Sequence, residues 1–323
     1  MTLRHAVCTL VSIAMAGAVP AAPVQHDDRP TATVRLQLNW VPEPEFGGIY
    51  AAERDGIFAA HGLRVEILKG GPDVPAVQMA AAGRVEFAVA AADEVVALRE
   101  KGADVVALFA TFQTSPQGIM VRASREVKDI PALLANGGTL IAQPGLAYLK
   151  YLRKHFGLDR VRIVPYGSGA LSQFLDPTRS DVAMQCFVTA EPLTAQREGV
   201  PVKVFLIADT GFNPYTTVIV TSAGFLRSHR DTCRRLVAAL REGWRRYLAA
   251  PGPTNRAMAR LNSAMDLATF DAAAETEKRL IETARTSELG AMTLTRWTTL
   301  ARQLAELGVI ESPVDPAACF VNL

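Results

Sequence analysis

The residues best suited to chemistry lie in one short joint, within the stretch LQLNWVPEPEFGGIYAAERDGIF (Leu36 to Phe58). Between a strand-like run and a helix-like run, this joint contains Asn39, Trp40, Glu43 and Glu45. An indole offers a broad apolar face on which a flat heterocycle can stack, and amide or carboxylate groups can fix its orientation by hydrogen bonds. A joint that only turned the chain would need a few small polar residues. The residue types therefore indicate a loop that holds a ligand.

Sequence motifs of the common enzyme classes are missing. The stretch YGSGA (Tyr166 to Ala170) has its serine in the wrong place for a G-x-S-x-G elbow, and it lacks the third glycine and the lysine of nucleotide-binding loops. No H-x-x-x-H or C-x-x-C spacing occurs, so neither a metal site nor a cofactor is predicted. Glu43, Glu45, Asp93 and Glu191 could act as acid or base, but surface or capping roles are commoner for carboxylates. We therefore predict that the protein is not an enzyme.

Composition limits the class of partner. The chain has 323 residues, of which 49% are hydrophobic and 20% charged, as in an ordinary soluble protein with one large or two moderate cores. Its 34 Lys and Arg residues nearly balance its 32 Asp and Glu residues, and no basic block stands out. A nucleic-acid partner is therefore not predicted.

An export signal is predicted at the N-terminus. A basic start precedes an apolar run from Ala6 to Val19, and small residues around Ala21 suit cleavage by a signal peptidase. A membrane anchor is the alternative, but the run is shorter than the roughly 20 residues that span a bilayer. Cys8 lies too early to carry the lipid of a lipoprotein. Residues 1–21 are therefore predicted to be removed, which leaves a free protein in the periplasm.

Three cysteines remain after the predicted cleavage, namely Cys186, Cys233 and Cys319. They permit at most one internal disulfide, and their spacing does not fit a metal site. We predict that they are packing residues, with a Cys233–Cys319 pair left open as the alternative.

Strand-like and helix-like segments alternate along the chain in two series, which is typical of parallel βαβ units with helices on both sheet faces. A long helical segment follows from Ala223 to Leu307. The stretches TFQTSPQG (Thr111 to Gly118) and DTGFNPY (Asp209 to Tyr215) separate the series and predict two adjacent crossings that form a hinge. The predicted organisation is lobe 1 at residues 22–115, lobe 2 at 116–212, and a return to lobe 1 at 213–323.

The chain resembles the substrate-binding proteins related to the thiamine pyrimidine synthase family. LQLNWVPEPEFGGIYAAERDGIFAAHGLRVEIL is similar to the N-terminal signature of that family, an L-N-W-x-P-x-P segment after the first strand. The resemblance continues through GGPDVPAVQMAAAGRVEFAVAAADEVV, FQTSPQGIMV, TAEP and PYTTVIVTSAGFL, and it ends with WTTLARQLAELGVIESPVDPAACF. It covers most of the mature chain. No single motif is diagnostic, but their order and spacing together are fairly specific.

The resemblance implies an α/β fold, the two-lobed periplasmic binding protein fold of type II, with a cleft between the lobes and two hinge crossings. In this family, eukaryotic synthases consume an active-site histidine and carry a cysteine-rich iron-binding segment. Bacterial relatives bind a small molecule in the periplasm and pass it to the permease subunits of an ABC transporter. Here Asp93 stands in place of that histidine, and TGFNPY stands in place of the cysteine-rich segment. Both departures, and the export signal, favour a solute-binding protein over a synthase. The protein is expected to be a monomer.

In this resemblance the joints between strands and helices face the cleft, where they contact the ligand. The predicted ligand-binding residues are Asn39, Trp40, Glu45, Phe46, Tyr50, Asp93, Gln113, Ser115, Gln117, Phe187, Glu191, Asn213 and Tyr215. Alternatives remain open for several of them: Trp40 could pack beneath its own loop, Tyr50 could face the core, and Asp93 could cap a helix. Gly70 and Gly71 are predicted to form an ordinary turn, with exposed amides for an anion as the alternative.

The resemblance favours a thiamine-precursor pyrimidine as the ligand, such as a hydroxymethyl- or formylamino-pyrimidine. Related proteins accept sulfonates, riboflavin, nitrate or aromatic carboxylates, and these remain alternatives. The glutamates at positions 43 and 45 weakly disfavour anions, because they would repel a negative charge. A sensory protein coupled to a receptor is the alternative of another class, and a pyrimidine synthase is a third.

Overall fold

The computed structural model describes residues 31–167, 169–282 and 288–323, so the predicted signal peptide lies outside the described residues. Its strands are β1 (Ala32–Gln37), β2 (Leu63–Leu68), β3 (Phe87–Ala90), β4 (Val105–Phe112), β5 (Gln117–Arg122), β6 (Gly138–Ala142), β7 (Val161–Pro165), β8 (Val182–Phe187), β9 (Val202–Leu206) and β10 (Thr216–Ser222). Its helices are α1 (Gly47–Arg54), α2 (Ile57–Ala60), α3 (Ala76–Ala81), α4 (Ala92–Glu100), α5 (Ile130–Asn136), α6 (Ala147–Phe156), α7 (Ala170–Leu175), α8 (Glu191–Arg197), α9 (Ala223–Ser228), α10 (Arg230–Ala249), α11 (Gly252–Ala259), α12 (Leu267–Ile281) and α13 (Leu294–Glu306). Short 3-10 helices cover Pro44–Phe46, Ile207–Thr210 and Pro316–Cys319.

The strands form two separate five-stranded sheets, which define the two lobes. The sheet of lobe 1 has the order β2-β1-β3-β10-β4, and that of lobe 2 has the order β7-β6-β8-β5-β9. Each sheet is mixed, because β10 runs antiparallel to β3 and β4 while β5 runs antiparallel to β8 and β9. Those antiparallel strands directly follow the two crossings. The alternating pattern therefore predicted the parallel units correctly but did not show these two reversals.

Burial explains why the strands read as continuous apolar runs. All eight residues of β4 and all four of β3 are buried, as expected for strands covered on both faces. The helix-like run that ends at Phe58 is two helices, α1 and α2, because Gly56 adopts a left-handed conformation with φ of 69° between them. The three described cysteines are buried free thiols, which confirms their predicted packing role.

Glycines allow helices α1 and α10 to approach closely. A Cβ atom on Gly47 would overlap the ring of Tyr247, one on Gly48 would overlap the ring of Trp244, and one on Gly243 would meet the carbonyl oxygen of Gly48. Close helix packing therefore accounts for the two glycines that open α1.

Both crossings between the lobes are held by one arginine of α13. The Arg296 guanidinium donates hydrogen bonds to the carbonyl oxygen of Gln113 (2.6 Å) in the first crossing and to those of Asn213 (2.7 Å) and Pro214 (2.9 Å) in the second. Its Nη2 also donates to Asn213 Oδ1 (2.9 Å), and the guanidinium carbon lies 3.9 Å from the centre of the Tyr215 ring. The crossings occur where the sequence predicts them, whereas the exact lobe boundaries stay a prediction.

The lobes contact each other on two sides. Arg197 of α8 pairs with Asp266 at the start of α12 (2.6 Å). Near the hinge, Lys154 Nζ of α6 donates to the carbonyl oxygen of Glu306 (2.7 Å), and Lys150 Nζ donates to that of Gly308 (3.2 Å). These lysines satisfy carbonyl groups at the C-terminal end of α13. Side chains of lobe 2 therefore contact lobe 1 at both α12 and α13.

Candidate functional site

The loop between β1 and α1, residues 38–46, is called here the Trp40 loop. Its start is held by the hydrogen bond from the Leu38 amide to the Leu68 carbonyl oxygen (3.0 Å). Its middle is held by Asn262, which follows the C-terminal end of α11. The Nδ2 atom of Asn262 donates a hydrogen bond to the carbonyl oxygen of Pro42 (3.0 Å). Gly70 packs directly on the loop backbone, because a Cβ atom there would meet the backbone of Leu38 and Trp40. The position of the indole is thus set by the surrounding backbone.

Adding one methyl group at Gly70 should therefore move the Trp40 loop. We expect Gly70→Ala to reduce the free energy of unfolding by about 2 kcal/mol, since rigid backbone atoms occupy the space required. The variant should also increase quenching of tryptophan fluorescence by acrylamide, because Trp244 and Trp297 are buried and Trp40 is half-buried. Gly71→Ala is the matched control, since no atom lies within 4 Å of its added methyl group. Equal behaviour of the two variants in urea unfolding and quenching would contradict this role of Gly70.

Two carboxyl groups accompany the indole within the same loop. Trp40 Nε1 donates to Glu43 Oε1 at 3.2 Å. Burial and the nearby charge of Glu191 raise the pKa of Glu43 to about 7. Burial and the charge of Glu43 raise the pKa of Glu45 to about 8, although a long hydrogen bond from Thr217 Oγ1 to Glu45 Oε2 (3.5 Å) opposes the shift. The loop thus presents an aromatic face with two poorly solvated acids beside it.

The second lobe contributes a third carboxyl group. Glu191, the first residue of α8, accepts a hydrogen bond at Oε1 from the Tyr166 hydroxyl (2.8 Å) and one at Oε2 from the Phe187 amide (2.9 Å). Burial raises the pKa of Glu191, while the hydrogen bond from Tyr166 lowers it. Glu191 is close enough to the loop for its charge to raise the pKa of both Glu43 and Glu45. Glu43, Glu45 and Glu191 are called here the acid cluster, which both lobes supply.

The acid cluster should make the ligand-free protein less stable as the pH rises. Glu43 and Glu45 have a raised pKa in the folded protein relative to the ordinary value of 4.5, so the folded state holds more protons than the unfolded state between about pH 4.5 and pH 8. Their stabilising protonation is complete below that window and is lost as the pH rises through it. We expect the melting temperature to fall by about 5 °C from pH 5 to pH 8.

The matched variants for this pH effect are Glu45→Gln and Glu66→Gln. Glutamine at position 45 cannot ionise, so it should flatten much of the pH profile of the melting temperature. Glu66 is exposed on β2, so its replacement should leave the profile as in the parent protein. A parent profile that is flat, or that rises from pH 5 to pH 8, would contradict the proposed burial of these acids.

The remaining predicted site residues fall into two groups. Near the Trp40 loop, Asn39 is half-buried and its Oδ1 has no hydrogen-bond partner among the described residues, whereas Phe46 and Tyr50 belong to the core of lobe 1. Phe187 is half-buried and packs against the same core from lobe 2. Asp93 lies in the first turn of α4, where burial raises its pKa, and the side chain that accepts the Ala91 amide is that of Glu94 (2.8 Å).

The second group belongs to the hinge. The Ser115 amide donates to Asn213 Oδ1 (2.9 Å), and Gln117 Nε2 donates to the carbonyl oxygen of Cys186 (3.1 Å). Gln113 Nε2 donates to the carbonyl oxygen of Ala110 (3.2 Å). The Tyr215 hydroxyl accepts the Thr293 amide (2.9 Å), and its ring is buried. Each of these residues has a hydrogen-bond partner within the protein, and a ligand contact for each of them stays a prediction.

Sequence reasoning missed four residues that shape the site. Tyr166 and Thr217 were assigned no role from the sequence, and neither Glu277 nor Arg296 was considered. Glu277 carried a usable signal, because it lies on the apolar face of α12 with Phe270, Ala273, Ala274 and Ile281. A carboxylate at a buried helical position requires an explanation.

Other possible sites are less informative. A groove of about 590 Å³ lies between α6 and the end of α13, lined by leucines and by Lys150, Arg153 and Lys154, but it contains none of the predicted ligand-binding residues. Within the described ranges, no group of three or more His, Cys, Asp or Glu side chains has an arrangement suited to a metal ion. No helix in the described part of the chain is long and apolar enough to cross a membrane.

Comparisons with known proteins agree with this architecture. The formylaminopyrimidine-binding protein of Halalkalibacterium halodurans is 25% identical over 202 residues, which is 61% of this chain and 60% of that relative. The match thus spans less than two thirds of the relative's length. Among solved structures, the periplasmic aliphatic sulphonate binding protein SsuA from Escherichia coli has a TM-score of 0.68 at 12% identity, covering 91% of this chain and 94% of its own.

A desulfurization enzyme, DSZB, shares the architecture too, with a TM-score of 0.61 at 14% identity and coverage of 90% of this chain and 96% of its own. At such identities the structural matches show the fold alone. They confirm the predicted class, an α/β two-lobed periplasmic binding protein fold of type II. A family model described as NMT1/THI5 like matches residues 43–253. Because this match extends from the glutamates of the Trp40 loop through α10, over more than half of the 323 residues, the chain belongs to the NMT1/THI5-like family.

Proposed function

We propose that this protein is the solute-binding component of an ABC importer and captures a small heteroaromatic molecule that bears amino groups. A thiamine-precursor pyrimidine is the proposed ligand. The observation that carries the proposal is the half-buried indole of Trp40 beside carboxyl groups from both lobes. A flat ring can stack on the indole while its N–H groups donate to the acids. The similarity to a formylaminopyrimidine-binding protein supports this ligand class.

The proposed mechanism is closure of the two lobes around the ligand. The ligand binds the Trp40 loop, and lobe 2 rotates about the paired crossings until Glu191 and Phe187 complete the enclosure. Closure without a ligand brings Glu191 toward Glu43 and Glu45, so these acids must either repel one another or take up protons, and both outcomes oppose the closed state. Hydrogen-bond donors on the ligand offset this cost, so the ligand favours closure through contacts made only in the closed form. The permease subunits would recognise that form.

The acid cluster also separates this proposal from its alternatives. A sulfonate or an aromatic carboxylate would meet three carboxyl groups, none of which has an ion pair with a described cation, so an anion would require these acids to keep their protons, whereas N–H donors suit their ionised forms. Synthase chemistry is not supported, because position 93 holds an aspartate where the synthases have a histidine. We propose that the protein acts as a monomer in the periplasm and performs no catalysis. A sensory role would use the same cleft with a different partner.

A ligand panel tests this function. The protein comprising residues 22–323 is freed of co-purified ligand by unfolding and refolding, then mixed with hydroxymethyl and formylamino aminopyrimidines, thiamine, riboflavin, methanesulfonate and benzoate. We expect only the amino-bearing heteroaromatics to raise the melting temperature in a saturable manner. A shift produced by methanesulfonate or benzoate alone would favour an anion carrier. No shift with any compound would favour an interaction protein.

A further inference from the structure

Glu277 is the most deeply buried acid near the site, and nothing in the proposed function uses it. It projects from α12 with 0% of its surface exposed, and no hydrogen bond of ordinary geometry reaches either carboxyl oxygen from the described residues, although the neighbouring Tyr247 hydroxyl partly opposes the rise in the pKa of Glu277. The adjacent hydroxyl of Tyr247 donates its proton to Asn255 Oδ1 (2.8 Å). Asn255 Nδ2 in turn donates to Asp271 Oδ1 (2.8 Å). The hydroxyl proton of Tyr247 is therefore donated to Asn255 rather than to Glu277.

Glu45 is the acid that connects Glu277 to the Trp40 loop, because α12 packs against the short 3-10 helix Pro44–Phe46 that carries Glu45. The charge of Glu45 raises the pKa of Glu277, in addition to the larger effect of burial. In the described part of the chain, neither Glu45 nor Glu277 forms an ion pair with a lysine, arginine or histidine. A buried carboxylate without a cation or donors is unfavourable, so such a group either holds a proton or meets a positive charge.

Backbone strain marks the same position. Thr217, which donates to Glu45 Oε2 at 3.5 Å, has a φ of 55° and is the one described non-glycine residue with positive φ. A β-branched residue in the left-handed region is a true outlier, and such strain is concentrated at binding and catalytic sites. Thr217 is also the second residue of β10, directly after the return crossing. The strained threonine therefore links the end of the return crossing to Glu45 in the Trp40 loop.

We propose that Glu45 and Glu277 form an inner subsite for a positively charged group of the ligand, so that the ligand is an organic cation with one aromatic ring. This inference rests on the proposed function, and it narrows the ligand class from amino-bearing to cationic. The ring would stack on Trp40, and a primary ammonium on a short arm would reach the two acids. An ammonium has three donors, which suits oxygens that lack partners. In the ligand-free protein, Glu45 and Glu277 hold protons instead of binding the ammonium group.

Two probes that differ in one group test the subsite. In the first probe the aminopyrimidine ring bears a hydroxymethyl substituent, which is neutral. In the second the same ring bears an aminomethyl substituent, which carries a positively charged ammonium group. By calorimetric titration at pH 7, we expect the parent protein to bind the aminomethyl probe at least tenfold more tightly. Glu277→Gln should abolish this preference while it keeps affinity for the hydroxymethyl probe within about twofold. Glu275→Gln, an exposed position on the same helix, should retain the preference.

A second measurement uses the parent protein alone, so it does not depend on folding of the variant. Titrations in buffers of different ionisation enthalpy should show release of up to about one proton when the aminomethyl probe binds, and less with the hydroxymethyl probe. Equal affinities for the two probes, or a preference that survives Glu277→Gln, would overturn the cation subsite but leave the proposed function intact. Failure of both probes to bind would overturn the proposed function, and the inference with it.

Discussion

Replacing Trp40 with alanine is expected to weaken binding of the hydroxymethyl aminopyrimidine by about 100-fold while the protein remains folded. The indole is the only aromatic side chain that the Trp40 loop leaves half-buried, since Phe46 of the same loop is fully buried in the core. Removing it eliminates the stacking surface and also leaves Glu43 without its hydrogen bond from Nε1. Calorimetric titration measures the affinity.

Trp40→Phe is the informative partner of the alanine variant. Phenylalanine keeps an aromatic face but cannot donate to Glu43, so we expect an intermediate loss of about tenfold. Circular dichroism and the melting temperature establish that both variants fold. An affinity that is unchanged in Trp40→Ala would mean that the indole packs only against its own loop, and the proposed site would then be wrong.

The largest effect on stability is expected at the hinge, from Arg296→Met. Methionine approximates the length of the arginine stem but removes every hydrogen bond to the carbonyl oxygens of the two crossings. Hydrogen bonds from charged donors contribute more than neutral ones, and the carbonyl groups left behind are partly buried. We expect the free energy of unfolding to fall by about 3 kcal/mol in urea titrations.

Arg302→Met provides the control for the hinge variant. Arg302 lies on the same helix, with 61% of its side chain exposed, and pairs with Glu306 at 2.8 Å. An exposed pair of this kind contributes little, so the substitution should change the free energy of unfolding by less than about 0.5 kcal/mol. Equal losses in the two variants would show that Arg296 does not hold the crossings.

The Trp40 loop and the two crossings could be predicted because their signals are local. Trp40 and its neighbouring glutamates are adjacent in sequence, and a strand-like run followed by polar and proline residues indicates a joint. The alternation of elements likewise predicted two lobes. It did not predict that β5 and β10 run antiparallel to their neighbours, because strand direction depends on pairing between distant segments.

The inner part of the site could not be obtained from local patterns. Glu277 reaches Glu45 from a helix more than 200 residues later in the chain, and only the fold brings the two acids together. Arg296 binds backbone carbonyl groups of the crossings. Every residue has such a group, so the residue types of the crossings do not indicate this contact. The glycines at positions 47 and 48 likewise depend on the fold, because the residues that they pack against, Trp244 and Tyr247, lie far along the chain on α10.

The most direct test of the central claim is a titration of ligand-stripped protein with the hydroxymethyl aminopyrimidine and, separately, with methanesulfonate, followed by calorimetry and tryptophan fluorescence. Trp244 and Trp297 are buried in the core, so a change in fluorescence reports on Trp40. We predict one-to-one, saturable binding of the pyrimidine with a fluorescence change, and no binding of methanesulfonate. Saturable binding of methanesulfonate without binding of the pyrimidine would contradict the account of an acidic, amine-selecting cleft.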